Sequence, residues 1–357
     1  MVARPAHAER NPSLPSVSVV GAGVIGSWCA LALAEAGCAV TLYDRGPGEL
    51  VGATSYWAGG MLAPDCEAEV SEPLVTRLGR RSLTLWREAF PDIAFNGSLI
   101  VAHPRDRADF ERFARVTPGH ERVDARRIAE LEPALEGRFR DGLFYPAEGH
   151  VEPRRVIPAM HRRLRALGVE LRFGVAVNPE ALEGLVLDCR GVWAKDALPD
   201  LRGVRGEVVT IETPEISFSR PVRLLHPRWP IYVIPRPGGR FVIGASTVEN
   251  EDERVTVRSA LELMSAAFAI HPAFGEARIV EMGAGLRPAF PDHAPRVQAE
   301  GRIIRVNGLY RHGFLISPAI AWAVRAWIVE GVRDDELIRE KPLHAPGRSA
   351  APASQEA

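Results

Sequence analysis

Two short β-branched runs near the start of the chain are separated by a stretch rich in alanine and leucine. Residues 17–20 and 39–43 are apolar runs of strand length, and residues 24–36 carry the small and apolar side chains typical of a buried helix. Gly37 follows this stretch directly, at a place where glycine commonly ends a helix. The pattern predicts a strand, a helix and a second strand, the unit from which parallel sheets are built.

Further along the chain, the predicted elements change in type from one region to the next. Apolar spacing predicts helices over residues 72–90, 105–115, 124–131, 255–270 and 317–329. β-Branched and alternating runs predict strands over residues 204–211, 222–226, 231–236, 240–246, 277–283 and 303–306. Pro237, Gly238 and Gly239 join two of these strands as a hairpin, which predicts an antiparallel sheet in this region.

These regional patterns predict a mixed α/β protein. One part is a Rossmann-like domain with a parallel sheet, built from separated segments, and the other is a domain with a mainly antiparallel sheet. Residues 1–16 and 344–357 are rich in proline, alanine and serine, a composition that predicts disordered tails.

Composition and charge exclude several functional classes. The chain has 357 residues and a formal net charge of -1, which argues against a broad surface for nucleic acid or anionic membranes. Among its 44 basic residues, only Lys195 and Lys341 are lysines. Neither lysine stands in a P-loop motif, and a pyridoxal phosphate enzyme would need a Schiff-base lysine.

Cysteine and histidine usage predicts no metal site, because the chain has no Cys-x-x-Cys pair and no His-Glu-x-x-His motif. Unpaired cysteine usage is also typical of a reducing compartment. No apolar signal segment occurs at the N-terminus. The longest apolar stretch, residues 315–324, contains Pro318, ends before Arg325 and is shorter than the ~20 residues of a membrane span. We therefore expect a cytoplasmic protein.

A glycine motif follows the first predicted strand and opens the first predicted helix. Gly21, Gly23 and Gly26 have the G-x-G-x-x-G spacing, and Asp44 ends the second strand. In this context Gly21 permits a tight turn, Gly23 a close approach of pyrophosphate and Gly26 close packing of the helix, while Asp44 can accept from ribose hydroxyls. The motif predicts a dinucleotide site and leaves FAD and NAD as alternatives.

Two further segments bear on that choice. Residues 52–64 form a loop of small side chains whose backbone could pass close to a planar group, or which could be a flexible surface loop. Residues 308–318 lead into the last predicted helix, whose N-terminus could stabilise negative charge on a reduced flavin. The alternative is an ordinary helix start with Pro318 in its first turn.

These motifs resemble the D-amino-acid oxidase superfamily of flavoproteins and, within it, the glycine oxidases that serve thiamine biosynthesis. The resemblance covers roughly residues 17–330 and rests on four segments in the family order. They are the Gly21 motif, residues 55–64 ending in Gly-Met-Leu-Ala-Pro, Gly285-Leu286-Arg287-Pro288 with Pro291-Asp292, and residues 311–318.

The resemblance implies an FAD enzyme that oxidises glycine or a similar small amine by hydride transfer to flavin N5, with O2 reduced to H2O2. Three catalytic residues carry over from the family. Arg287 would anchor the substrate carboxylate, Arg311 would lie near flavin and substrate, and Tyr232 would close the substrate pocket. Guanidinium pairs with a planar carboxylate through two hydrogen bonds, which an ammonium cannot do.

The resemblance also implies the FAD contacts. Noncovalent binding is expected, because the chain has no cysteine after Cys189 and no histidine between His7 and His103, where relatives attach the flavin. Leu309 and His312 depart from the His and Asn common in the family. The predicted cofactor-binding residues are Gly21, Gly23, Val24, Ile25, Gly26, Asp44, Arg45, Ser55, Ala58, Gly59, Gly60, Met61, Gly308, Tyr310, Arg311, His312, Gly313, Phe314 and Leu315.

Domain boundaries follow from the same resemblance. Residues 17–90, 145–203 and 277–335 are predicted to form the FAD-binding domain, and residues 91–144 and 204–276 the substrate-binding domain. The expected partners are an amino acid, O2, further copies of the chain and a thiazole synthase that takes the product. Sarcosine or a small D-amino acid as substrate, a nicotinamide-dependent dehydrogenase and a non-catalytic nucleotide-binding protein remain alternatives.

Overall fold

The computed structural model describes residues 11–48, 50–226 and 230–340. The helices are α1 Val24–Glu35, α2 Pro73–Ala89, α3 Arg107–Val116, α4 Ala125–Leu131, α5 Pro153–Ala166, α6 Val257–Ile270 and α7 Gly313–Arg325. The strands are β1 Ser16–Val20, β2 Ala39–Asp44, β3 Met61–Leu62, β4 Ser98–Ala102, β5 Glu121–Asp124, β6 Asp141–Tyr145, β7 Gly149–His150, β8 Glu170–Phe173, β9 Leu185–Asp188, β10 Arg202–Glu212, β11 Val222–Leu225, β12 Ile231–Arg236, β13 Arg240–Gly244, β14 Arg278–Ala289, β15 Arg296–Glu300, β16 Ile303–Asn307 and β17 Ile338–Glu340.

The first sheet is mainly parallel and has the strand order β17-β15-β16-β9-β1-β2-β8. Strand β1 pairs in parallel with β2 on one side and with β9 on the other. The order of the strands therefore reverses at β1, since β2 lies on one side of it and β9 on the other. In sheets of this kind, ligands bind beyond the carboxyl ends of the strands at the point where the strand order reverses. Helix α1 leaves from that end, and its residues from Val24 to Ala34 are all buried because α5 and α7 pack against it.

The second sheet has the order β14-β10-β13-β12-β11-β4-β6-β5. All of its pairs are antiparallel except β11 with β4, which confirms the predicted antiparallel sheet. Gly238 and Gly239 both have positive φ in the turn between β12 and β13, as the predicted hairpin requires. Helix α6 packs on β10, β12 and β13 and closes the core of this sheet.

Strand β14 is longer than predicted and belongs to the second sheet. Residues 277–283 were expected to form a strand of the nucleotide-binding part, but β14 continues to Ala289 and pairs with β10 throughout. Glycine is common here because side chains pack directly on it. A Cβ on Gly283 would overlap the ring of Trp57, and one on Gly285 would lie 3.1 Å from Thr54 Cγ2. The predicted domain boundaries themselves stay a prediction.

Helix α7 begins four residues before its predicted start at residue 317. It starts at Gly313, so Pro318 lies in the second turn and not in the first. Proline has no N–H for the carbonyl four residues earlier, and the indole Nε1 of Trp86 donates to that carbonyl, the oxygen of Phe314, at 2.9 Å. The helix tolerates the proline because α2 supplies the missing donor.

Residues Tyr310–Glu330 are long and apolar enough to span a membrane by length and composition. However, 56% of the apolar window is buried inside the protein, where α7 packs against α1 and α2. This is the behaviour of a core helix. The predicted disorder of residues 1–10 and 344–357 lies outside the described residues, while Ser16 of the predicted N-terminal tail begins β1.

Candidate functional site

A cavity of about 1000 Å³ runs from the carboxyl ends of β1 and β9 to the face of the second sheet. Its walls come from the turn between β1 and α1, the loop of residues 51–61, the residues after β8 and β9, and the segment that leads into α7. Its volume is at the upper end for small-molecule sites, which suits a ligand as large as a dinucleotide. The two ends of this cavity differ in chemistry and are described in turn.

The first end, which we call the dinucleotide end, is formed by the glycine turn before α1. Gly21 has φ +104, and a Cβ there would lie 2.5 Å from the carbonyl oxygen of Cys189. A Cβ on Gly26 would overlap the carbonyl oxygen of Gly21. The turn can therefore close only without these side chains, and it brings backbone to the cavity wall.

The N-terminus of α1 points into this turn without an acidic residue in its first turn. Gly23 is the N-cap and supplies no side-chain hydrogen bond, while the N–H of Val24 donates to Ser55 Oγ at 3.2 Å. The positive end of a helix with uncapped N–H groups is a favourable site for a phosphate.

Asp44 and an apolar wall complete this end. Asp44 Oδ2 accepts from the N–H of Ala22 at 2.6 Å, and Oδ1 accepts from the N–H of Gly46 at 2.7 Å. These bonds hold the carboxylate at the cavity, and each oxygen keeps a lone pair for a hydroxyl group. Three large apolar side chains that line the same end are unusually exposed, namely Val51 (57%), Val175 (42%) and Trp193 (51%). Such a wall suits a flat apolar ring system.

The small-residue loop is fixed between the two sheets and is not a flexible surface loop. Thr54 Oγ1 donates to the carbonyl oxygen of Leu286 in β14 at 2.8 Å. Arg236 in β12 donates from Nη2 to the carbonyl oxygen of Gly59 at 2.6 Å. A Cβ on Gly59 would lie 2.9 Å from the ring of Tyr232, so the loop passes directly over that ring.

The other end of the cavity, which we call the substrate end, contains Arg287. Its Nη1 donates to the carbonyl oxygen of Ser246 at 3.0 Å, and within the described residues it forms no ion pair. The guanidinium lies over Gly206, where any Cβ would overlap it. Burial lowers the pKa of Arg287 but leaves the group a cation at neutral pH. A half-buried cation without a carboxylate partner is poised for an anionic ligand.

Tyr232 lies beside Arg287 on the same cavity wall. Its ring packs on Gly59 and Gly244. A Cβ on Gly244 would lie 2.7 Å from the phenol oxygen of Tyr232. Burial raises the pKa of Tyr232, so the phenol keeps its proton and can donate a hydrogen bond.

Arg311 is held by a carboxylate that the sequence did not single out. Arg311 Nη2 lies 2.8 Å from Glu67 Oε2, and Arg223 Nη1 lies 3.8 Å from Glu67 Oε1. Although burial raises the pKa of Glu67, these two guanidinium groups lower it to about 2. Burial lowers the pKa of the neighbouring His312 to about 4, so this imidazole is neutral at pH 7. The cluster therefore contains an ionised carboxylate and a neutral imidazole.

A buried glutamate supports the turn that carries Glu67. Glu148 Oε1 accepts from the backbone N–H groups of Asp65 and Cys66 at 3.1 and 2.8 Å. Ser98 Oγ donates to the other oxygen, Oε2. Burial raises the pKa of Glu148 to about 8. The backbone of this turn is thus fixed by a group other than Glu67 itself.

Comparison with known proteins identifies the family. The family model described as FAD dependent oxidoreductase matches residues 16–327, nearly the whole of the described chain. This chain belongs to the FAD-dependent oxidoreductase family. A protein of Rhizobium etli described as the thiamine biosynthesis oxidoreductase ThiO is 48% identical over 310 residues, which cover 86% of this chain and 94% of that protein.

Two further comparisons agree with this assignment. The glycine oxidase of Bacillus subtilis is 26% identical to this FAD-dependent oxidoreductase over 345 residues, which cover 84% of this chain and 89% of that enzyme. The crystal structure of glycine oxidase from Geobacillus kaustophilus matches with a TM-score of 0.75 at 22% identity, and the match covers 88% of this chain and 95% of that one. The predicted fold class is confirmed by this structural match.

The residues at the dinucleotide end fit FAD. Side chains at Gly21 and Gly26 would close the turn where the pyrophosphate is expected, and α1 offers its N-terminus there. Asp44 is placed for a ribose, and the apolar wall for an adenine ring. The same cavity continues from this end to Arg287. Noncovalent attachment stays a prediction.

Most of the predicted site residues of the FAD-dependent oxidoreductase meet in this cavity. Gly26 and Gly308 do not line it. Gly26 packs behind the turn, and Gly308 has φ +77 and a Cβ there would overlap the ring of Phe290. The predicted residues that line the cavity are Gly21, Gly23, Val24, Ile25, Asp44, Arg45, Ser55, Ala58, Gly59, Gly60, Met61, Tyr232, Arg287, Tyr310, Arg311, His312, Gly313, Phe314 and Leu315.

Several cavity residues were not predicted from the sequence. The residues around position 190 could have been predicted, because the apolar run of residues 185–188 is typical of a strand and the glycine at 191 of a turn that follows it. No local pattern marks the others, which are brought to the cavity by the tertiary fold. The residues missed include Glu67, Glu69, Arg112, Val175, Ala176, Val177, Cys189, Arg190, Gly191, Trp193, Gly206, Arg223 and Asn307.

Proposed function

We propose that this FAD-dependent oxidoreductase oxidises glycine, or a similarly small amine with one carboxylate, to the imine. The observation that carries the proposal is Arg287, a half-buried cation without an ion pair among the described residues, at the end of the cavity opposite to the dinucleotide turn. The names of the relatives from Rhizobium etli and Bacillus subtilis support the same reaction.

In this proposal the protein supplies binding and orientation. Arg287 holds the substrate carboxylate through two parallel hydrogen bonds, and Gly206 leaves the space in which its guanidinium lies. The Tyr232 phenol donates a further hydrogen bond and separates the substrate from the loop at Gly59. When bound, FAD would supply the acceptor for the hydride, and the two electrons, with a proton from that hydride and one from solvent, would reduce O2 to H2O2.

The titration states of the cavity agree with chemistry that depends on positioning. Glu67 stays ionised and ion-paired to Arg311, and His312 stays neutral. The substrate amine must be neutral when its Cα–H bond breaks, because its lone pair forms the C=N bond, and with Glu67 and His312 both at pKa values far below that of an ammonium, the proton of the amine goes to solvent. The side chains orient the Cα–H bond of the substrate toward the hydride acceptor. Such orientation accounts for a large part of enzymatic rate enhancement.

The biological setting is proposed together with the reaction. The imine would be consumed by a thiazole synthase in thiamine biosynthesis, consistent with the name of the Rhizobium etli relative. A cytoplasmic location and a homo-oligomeric assembly belong to the same proposal.

The decisive experiment is an absorbance spectrum of the purified protein before and after anaerobic addition of glycine, sarcosine or D-alanine. We expect flavin bands that bleach with glycine and return, with release of H2O2, when O2 is admitted. Faster bleaching by sarcosine or D-alanine would name that amine as the substrate. A yellow protein that none of the three bleaches would refute the proposal.

A further inference from the structure

The substrate end contains more charge than a single carboxylate requires. Four guanidinium groups line this part of the cavity together with three carboxylates. The cations are Arg112, Arg223, Arg287 and Arg311, and the anions are Glu67, Glu69 and Asp109. This arrangement decides which charges a substrate can carry.

Ion pairs satisfy three of the four cations. Glu67 lies 2.8 Å from Arg311 and 3.8 Å from Arg223. Glu69 lies 3.6 Å from Arg223 and 2.6 Å from Arg112. Within the described chain, Arg287 alone of these four has no carboxylate partner.

Glu67 is the carboxylate of this network whose charge acts on Arg287 and Tyr232. It shares Arg311 with the proposed substrate site. Its two cationic partners lower its pKa to about 2, so it is ionised at neutral pH. A second anionic group on a substrate would meet this fixed negative charge, and it would find Arg311 and Arg223 already paired.

We propose that Glu67 is a specificity-determining residue that restricts the site to ligands with a single carboxylate and rejects those with a second anionic group. The proposal rests on the proposed function, because it assumes that Arg287 binds the carboxylate of the substrate. Glu67 neutralises Arg311, which would otherwise attract a second carboxylate, shares Arg223 with Glu69, and adds repulsion of its own.

The test compares propionate with malonate, two ligands of similar size that differ in the second carboxylate. Binding is measured through the perturbation of the flavin spectrum, and kcat/KM is measured for sarcosine and for iminodiacetate. We expect the wild-type protein to prefer propionate, and Glu67→Gln to shift the ratio of the two Kd values toward malonate by about 10-fold or more. The kcat/KM ratio should shift toward iminodiacetate in the same variant.

Two matched variants separate charge in the cavity from other effects. Glu67→Asp keeps the carboxylate and should keep the wild-type preference. Glu72→Gln removes the same charge from an exposed position three residues after Glu69, and it should also keep the preference. Should Glu67→Gln fail to hold FAD, Glu67→Ala, which leaves room for water beside Arg311, repeats the measurement.

A Kd ratio in Glu67→Gln within twofold of wild type, at full flavin content, would overturn the proposal. Absence of any carboxylate binding by the wild-type protein would overturn it as well. Failure of the proposed function alone would look different, because propionate would then bind in preference to malonate while no amine bleached the flavin.

Discussion

The two ends of the cavity are built from different parts of the polypeptide. At the dinucleotide end, the contacts come from backbone, and side chains are excluded at Gly21 and Gly26. At the substrate end, the contacts come from long charged side chains, among them Arg287 and Arg311 paired with Glu67. The glycine turn and Asp44 of the first end are encoded within one strand-helix-strand unit, whereas the second end is assembled from segments more than two hundred residues apart.

This difference teaches how each end responds to substitution. A backbone site tolerates almost no added atoms, because the structure around it has no side chain that can move aside. At a site built from side chains, a substitution leaves the fold intact and changes the affinity and selectivity for the ligand. The predictions below separate these two responses, beginning with the largest effect.

Gly26→Ala should cause the largest loss, because its Cβ would overlap the Gly21 carbonyl oxygen inside the turn. We expect a protein that retains under roughly one tenth of the wild-type flavin and melts at a lower temperature.

Gly23→Ala is the matched variant, since its Cβ would meet Ser55 Oγ at an ordinary 3.4 Å. It should fold normally and bind FAD about 10-fold or more weakly, because the pyrophosphate loses its close approach. Flavin content and circular dichroism check both, and equal behaviour of the two variants would contradict the distinction.

Arg287→Ala should cause the next largest effect, and only at the substrate end. Loss of two charge-assisted hydrogen bonds, each worth roughly 1.5–3 kcal/mol, should lower kcat/KM for glycine about 100-fold or more. Flavin content should stay at the wild-type value, because the residue lies away from the dinucleotide turn. Steady-state kinetics with flavin quantification test this prediction, and unchanged kinetics would remove Arg287 from the substrate site.

Gly206→Ala should act through Arg287 and have a smaller effect. Its Cβ would overlap the end of a flexible guanidinium and not the backbone, so the fold should survive while Arg287 moves. We expect KM for glycine to rise about 10-fold. The control is Gly203→Ala in the same strand, because Gly203 does not line the cavity and its Cβ would meet Val192 at 3.2 Å and not Arg287. It should leave KM within twofold of wild type, and an equal rise in both variants would point to a general effect on β10.

Glu148→Gln should have the smallest effect, on the pH dependence of stability. Burial raises the pKa of Glu148 to about 8 in the folded protein, against an ordinary value of 4.5. The folded protein therefore holds this proton more tightly, so its contribution to stability is complete below pH 4.5 and is lost as the pH rises through 8. Glutamine stays neutral, and the melting temperature of Glu148→Gln should fall less than that of wild type between pH 5 and 9. Melting temperatures of wild type and Glu148→Gln that change equally across this pH range would contradict the raised pKa of Glu148.

The same contrast explains what could be predicted from the sequence. The glycine turn, α1 and Asp44 lie within one short segment whose pattern carries its own physical reason, and all were predicted. The end of β14 was not, because Gly283, Gly285 and Pro288 weaken the local preference for a strand. Pairing with β10 and packing of Trp57 on Gly283 override that preference.

At the substrate end, Arg287, Arg311 and Tyr232 were found through family resemblance and not through any local pattern. Glu67 and Arg223 were missed for a physical reason. Each is one charged residue among many in the sequence, and only the meeting of the Cys66–Glu69 turn with β11 brings them within 3.8 Å of each other. The charge of a site depends on such ion pairs, and ion pairs between distant segments produce no periodic pattern in the sequence.

The turn that carries Glu67 has an evolutionary consequence. Its backbone is anchored by Glu148 and by the bond from the N–H of Glu67 to the carbonyl oxygen of Ala63, while the Glu67 side chain points to the cavity. A change at this one position therefore alters the charge of the site without disturbing the main chain around it. Glutamate and glutamine codons differ by a single base. On the proposal above, a lineage that carries this fold is one mutation away from a new class of substrate, while its cofactor turn stays fixed.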